Sequence, residues 1–210
     1  MRDYSSATIA ALSARKIVAR DFLWLKMRVL DTGLPFEYGF WSGIGNISAS
    51  VVDITTGATV VRNFEGAGSL VKIGDVPFLS SGEAPSIEVA MSQVDENVNA
   101  IVRGYDLKQA GVEVYRILLS TETRLPVAAE KPRFFGFVDQ VKILTPEEGG
   151  EGGISLSCVS HTQELLRSNA DTRSYESQLM RDPSDDFYRD TVAVGDWEIF
   201  WGQKNGKIVA

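Results

Sequence analysis

Ser86-Ile87-Glu88-Val89-Ala90-Met91 alternates without a break, with Ile87, Val89 and Met91 on one side and Ser86, Glu88 and Ala90 on the other. A period of two marks a strand with one apolar face, because successive side chains leave a pleated backbone in opposite directions. The same reading spreads outward from this stretch. Upstream, Leu70 to Ile73 reads as a short apolar strand entered through Gly66-Ala67-Gly68-Ser69. Downstream, Asp95 can cap a brief helix on which Val98, Ile101, Val102 and Tyr105 share a face, suited to covering an open end of a barrel. Val112 to Leu119, Phe134 to Leu144 and Ile154 to Val159 follow as strands. Gly136, between two aromatics, is a place to bend, and Glu147 to Gly153 has the composition of a solvated hairpin tip.

Toward the amino terminus, Ser5 and Ser6 can cap a helix over residues 7–15 whose apolar residues, Ile9 and Leu12 among them, crowd one side and suit docking. Ile17 to Val29 sets Phe22, Trp24 and Lys26 on one face and Leu23, Leu25 and Met27 on the other, as in a strand covered on both sides. Asp31-Thr32-Gly33-Leu34-Pro35 closes it with turn chemistry. From Phe36 to Val61, short strand-like runs are broken by Gly39, Gly43, Gly45 and Gly57, and Ile47 to Asp53 leads into a hairpin. The sum is a mainly β chain of the α+β kind, with short helices near the N-terminus, mid-chain and near the C-terminus.

With 210 residues, 44% of them hydrophobic and 23% charged, the chain has the composition of an ordinary globular protein able to bury a core. No run of 18 apolar residues occurs, and Met1-Arg2-Asp3-Tyr4 lacks the order of a signal peptide, so neither membrane binding nor export is expected. One cysteine, Cys158, and one histidine, His161, supply neither a disulfide nor a zinc site of usual composition. No cofactor or metal is therefore expected. The balance of 21 basic against 28 acidic residues, a net charge of -7, argues against a grip on phosphates but suits a conduit past which DNA slides.

Several motifs carry a sharper and a plainer reading. Gly43-Ile44-Gly45 has part of the spacing of a phosphate-binding loop, yet lacks the third glycine and reads better as a turn. Cys158 with His161 could be a nucleophile and base, but Cys158 is in phase with Ile154 and Leu156, which favours a buried thiol. Asp182, Asp185, Asp186 and Asp190 could pair for acid and base work or hold a hard cation; Pro183-Ser184-Asp185 accounts for them as turn residues. Trp197, Trp201 and Tyr188 could stack on a sugar, or pack against a neighbour.

In the last forty residues, Ser174, Tyr175 and Gln178 precede Arg181-Asp182-Pro183 and Asp185-Asp186-Phe187, and Phe200-Trp201-Gly202 follows. Arg167, Arg173, Arg181 and Arg189 alternate with acids between Glu164 and Asp190, and arginine forks hold carboxylates in fixed geometry at interfaces. This run resembles the C-terminal signature of tail-tip hub proteins of long-tailed bacteriophages and gene transfer agents. In that family an arginine-rich Ser-Tyr-x-x-Gln segment, a short Asp-Pro or Gly-Asp turn with an aromatic and a closing Trp-Gly follow a β-rich body. Phe134-Phe135-Gly136-Phe137-Val138-Asp139 and Ile154 to Val159 fill the places of the two strands that lead into it. The resemblance covers the C-terminal half, and the N-terminal half shares a pattern of strands. The cysteine cluster that some relatives carry is absent.

The resemblance implies a β-barrel hub domain similar to tail-tube-like folds over residues 1–160, begun by a docking helix, and a C-terminal interface segment over 161–210. It implies no catalytic residue. It implies a homotrimer, with a hexamer as the alternative, forming a ring at the tail tip of a virion assembled in the host cytoplasm. That ring would join the tail tube or distal tail protein to the central fibre and receptor-binding complex, with genomic DNA passing nearby. The expected subunit contacts are Ile9, Leu12, Arg167, Arg173, Tyr175, Gln178, Phe187, Trp201 and Gly202. The competing readings are a virion-associated hydrolase using Asp185, Asp186 or Glu164, and a carbohydrate-binding module.

Overall fold

The computed structural model describes residues 4–66, 68, 70–77, 83–148, 152–168 and 172–194. They fall into two compact units, Met1–Leu166 and Arg167–Ala210. In the first, helix α1 (Ser6–Ala14) precedes strands β1 (Ile17–Val29), β2 (Pro35–Trp41), β3 (Ile47–Val52), β4 (Thr59–Phe64), β5 (Leu70–Ile73) and β6 (Ser86–Met91). Helix α2 (Glu96–Gly104), strands β7 (Tyr105–Ser120), β8 (Phe134–Leu144) and β9 (Gly153–Ser160), and a single turn α3 (Gln163–Leu166) complete it.

Seven strands form one antiparallel sheet in the order β2-β1-β7-β8-β9-β6-β5, and β3 pairs with β4 as a separate hairpin. The large sheet curls into a half-barrel. The sequence led to a barrel; the strand order instead begins at β2 and ends at β5, so the described strands leave the sheet open.

Alternation along each strand builds two cores. Leu23, Leu25 and Met27 of β1, Val112 and Val114 of β7, Phe134 and Val138 of β8, and Leu156 and Cys158 of β9 fill one face, together with Ile87, Val89 and Met91. Helix α2 adds Val98 and Ile101 to that core, and the Asp95 carboxylate caps it by accepting the Val98 N–H at 3.0 Å. On the opposite face Phe22, Trp24, Tyr115, Ile117 and Leu119 meet Ala49, Val51 and Phe64 of the β3–β4 hairpin. Strand β1 is thus covered on both sides because a second layer lies over it. Gly136 allows β8 to approach β9, since a Cβ there would run into the Val159 carbonyl oxygen.

Three local features differ from the sequence reading. Strand β7 starts at Tyr105 rather than Val112, because a bulge interrupts its alternation: Lys26 pairs with Gly111 but Arg28 with Asp106, and Gln109 sits at φ 60°. Polar Asp106, Lys108 and Gln109 disguise that segment. Gly39 lies inside β2 instead of breaking it, where Phe64 and Trp24 leave no space for a side chain. On α1 the apolar residues are spread around the helix; Thr8 alone of its residues is buried, and Ile9 and Leu12 face solvent.

Candidate functional site

Between the sheet and the β3–β4 hairpin lie four charged groups and a phenol. Lys26 follows Phe22 and Trp24 along β1, Glu113 precedes Tyr115 on β7, Arg62 lies between Val60 and Phe64 on β4, and Asp53 immediately follows β3. Each strand position points inward, so the pleat that buries the aromatics also buries the charges. Opposite Lys26 stands Gly111, which leaves room for the lysine stem.

Glu113 is fully buried, and its Oε2 accepts from Arg62 Nη1 at 2.5 Å and from the Tyr115 hydroxyl. Its Oε1 accepts no well-aligned hydrogen bond but is met by the Lys26 ammonium at 2.8 Å. Arg62 also donates to Asp53 Oδ1 at 3.0 Å and to the Tyr115 oxygen at 2.8 Å, and its guanidinium lies 4.8 Å from the Trp24 ring centre. Lys26 reaches Asp53 Oδ1 at 3.2 Å, while Asp53 Oδ2 takes the Thr56 N–H and hydroxyl in the hairpin turn. Two cations face two carboxylates, so the cluster is neutral.

Burial alone would raise the Asp53 carboxyl, but bonds from Thr56 and Lys26 outweigh it and hold the group down at about 2. For Glu113 burial likewise opposes ionisation, but hydrogen bonds from Arg62, Lys26 and Tyr115 outweigh it and hold its pKa below the usual carboxylate range. Lys26 is held protonated against burial by the same two carboxylates, and burial beside Glu113 pushes the Tyr115 phenol up. Such a set neither offers a base nor stores a proton near neutral pH. It ties β1, β4, β7 and the β3–β4 turn together. The cleft beside it, about 560 Å³ and lined by Trp24, Lys26, Glu37, Tyr38 and Arg62, gives water access to the lysine. Sequence reasoning missed this cluster. Its trace was charge in phase with an apolar face: Lys26 with Trp24, Glu113 with Tyr115, and Arg62 with Phe64.

The residues singled out for chemistry take the plainer roles. Cys158 is buried in the large core, where burial pushes its thiol up to about 12, whereas His161 lies exposed against the rings of Phe135 and Phe137 at 4.9 and 5.2 Å. They form no pair. Gly45 turns the chain at φ 78°, its carbonyl accepts the Trp41 indole N–H, and strand β3 rather than a helix follows. No group of three His, Cys, Asp or Glu side chains among the described residues is placed to hold a metal ion, and none of the described helices is long and apolar enough to cross a membrane.

In the second unit, Ser174 caps α4 (Tyr175–Leu179) by accepting the Ser177 N–H at 3.3 Å, and α5 (Thr191–Val194) follows. Asp182 accepts from the Ser184 N–H and hydroxyl, Asp185 from the Phe187 N–H, and Asp186 from the Tyr175 hydroxyl at 3.2 Å. Of the carboxylates proposed for acid and base work, Asp182 and Asp185 brace turns and Asp186 holds the Tyr175 hydroxyl. Among the expected contact residues, Arg167, Arg173 and Phe187 are exposed, Tyr175 and Gln178 half-buried, and the Gln178 Oε1 is enclosed without a donor. Trp197, Trp201 and Gly202 lie outside the described residues.

Neither the protein-family models nor the curated proteins contain a match to this sequence. A solved chain described as "Virion of native gene transfer agent (GTA) particle" does match in structure, with a TM-score of 0.50 at 16% identity over 81% of this chain. The two chains share a fold. The present chain spans about half of its counterpart, 49% of that length.

Proposed function

We propose that this protein is a structural subunit of a phage-like particle, a hub at the tail tip that forms a ring between the tail tube or distal tail protein and the central fibre and receptor-binding complex. The observation that carries the reading is the fold shared with a chain of a gene transfer agent virion. The C-terminal signature from Ser174 to Gly202 and the exposed Phe187 support the finer position. Rings arise where unlike patches on successive copies meet and the rotation closes. In this reading the subunit is a homotrimer, or a hexamer, and has no catalytic task. Ile9, Leu12 and the segment from Arg167 to Gly202 make the contacts.

Cryo-electron microscopy of particles purified from the source tests it. Density for this chain as a closed ring between the tube end and a central fibre is the expected outcome, and its absence from the particles would overturn the proposal. Replacing Tyr175 and Trp201 by alanine is expected to abolish tail assembly. Intact, infective tails would remove those two residues from the interface.

A further inference from the structure

Helix α1 is held to the body through one buried side chain. The Thr8 hydroxyl donates to Glu130 Oε1 at 2.9 Å, and Ser5 both caps the helix and contacts the same hydroxyl at 2.9 Å. Glu130 belongs to the segment that crosses from β7 to β8, and it is a fixed receptor: its carbonyl accepts the Val52 N–H at 3.1 Å, while Val127 and Arg133 bond back to Leu118 and Val114. The rest of the contact is loose. A cleft of about 280 Å³, bordered by Tyr4 and Leu12 of the helical side and by Leu118 and Lys131 of the body, remains beside Thr8. Only Arg15 and Lys16 join the helix to β1, and Arg15 is forced to φ 55°, a left-handed conformation that disfavours a side chain with a Cβ.

A short, strained hinge joining a weakly held element to a well-formed receptor is the arrangement that favours exchange of identical elements between copies. We infer that α1 is an exchangeable arm: in the assembled state it leaves its own body and seats Thr8 on Glu130 of a second copy. The occupant follows from the groove itself, which already binds this helix within one chain. Straightening Arg15 releases the hinge strain, and the Thr8–Glu130 bond broken within one copy forms again between two. The inference deepens the assembly reading, since it names the surface through which copies meet, but its test needs no particle.

The test uses full-length chains with complementary defects, weighed alone and mixed by mass photometry. Thr8→Asp spoils the arm, because it replaces the donor to Glu130 with a second carboxylate, and Glu130→Ala spoils the receptor. Each variant alone is expected to stay monomeric at concentrations where the wild type associates. A mixture should regain hetero-complexes, with the Glu130→Ala arm on the Thr8→Asp body. Arg15→Gly, which tolerates the left-handed turn, should weaken wild-type association about fivefold per hinge. A wild type that stays monomeric, single variants that associate as well as the wild type, or a mixture that remains monomeric would each overturn the exchange. Particle microscopy that fails to find the chain would sink the hub reading instead, and leaves this result unchanged.

Discussion

At the scale of single residues, Glu113 is the position at which one substitution does most harm. Glu113→Ala leaves Arg62 and Lys26 to share the single Asp53 carboxylate, an excess of one buried positive charge, and removing one partner of a buried ion pair costs about 3–5 kcal/mol. Replacing both Arg62 by methionine and Glu113 by leucine leaves Lys26 with Asp53, a balanced pair 3.2 Å apart. The double variant is therefore expected to be more stable than Glu113→Ala in urea unfolding, and a double variant that is worse would refute the pairing argument. The acid limb of stability follows from the same cluster. Asp53 titrates near 2 when folded and near 3.9 when unfolded, so its contribution is complete above the unfolded value and lost as pH falls through the folded one. Glu113 is depressed in the same direction. The urea midpoint should hold steady from neutral pH down to about 5, then fall steeply between about 4 and 2, with a shallower fall in Asp53→Asn. Gly136→Ala tests close packing rather than charge. Its methyl would collide with the Val159 carbonyl, and a lowered melting temperature with a disturbed β8–β9 pairing is expected.

At the scale of elements, α2 offers a direct test of local signals, because its N-cap, its buried pair Val98 and Ile101 and its basic last-turn Arg103 all agree. Asp95→Ala should cost about 1 kcal/mol by chemical denaturation. This helix was legible in the sequence for the same reason, and β6 was legible to the residue through its unbroken alternation; β5 and β8 were bounded to the residue by their flanking turn residues, although a register shift interrupts each. The start of β7 was not, since the bulge before Gly111 shifts the phase and places polar residues where alternation demands apolar ones. The β3–β4 hairpin was visible as two strands, but its departure from the main sheet depends on Phe64, Val51 and Ala49 matching Phe22 and Tyr115 across a layer, which no local pattern encodes. The ion cluster was hidden in the same way. Its four charges lie on β1, β4, β7 and the turn after β3, and each alone looks like an ordinary surface residue.

At the scale of the whole molecule, the first unit holds both apolar cores, and none of the described residues of the second is buried. A chain ending at Leu166 is expected to keep the near-ultraviolet dichroism and the cooperative melting of the full protein; loss of either would mean that the body needs its C-terminal unit. In the second unit Met180, Phe187 and Val192 are 89%, 80% and 89% exposed. In the hub reading they are covered when copies or partners meet. The seat of Trp24 adds an optical consequence. Its indole ring lies beside the Arg62 guanidinium and edge-on to Phe64, both supplied by the β3–β4 hairpin, while its N–H donates to Glu37 at 3.2 Å. With Trp197 and Trp201 replaced by phenylalanine, emission from the body comes from Trp24 and Trp41, which both lie in the core under that hairpin. The protein therefore carries its own gauge of interlayer contact: a red shift on acidification would time the parting of hairpin from sheet without any attached dye.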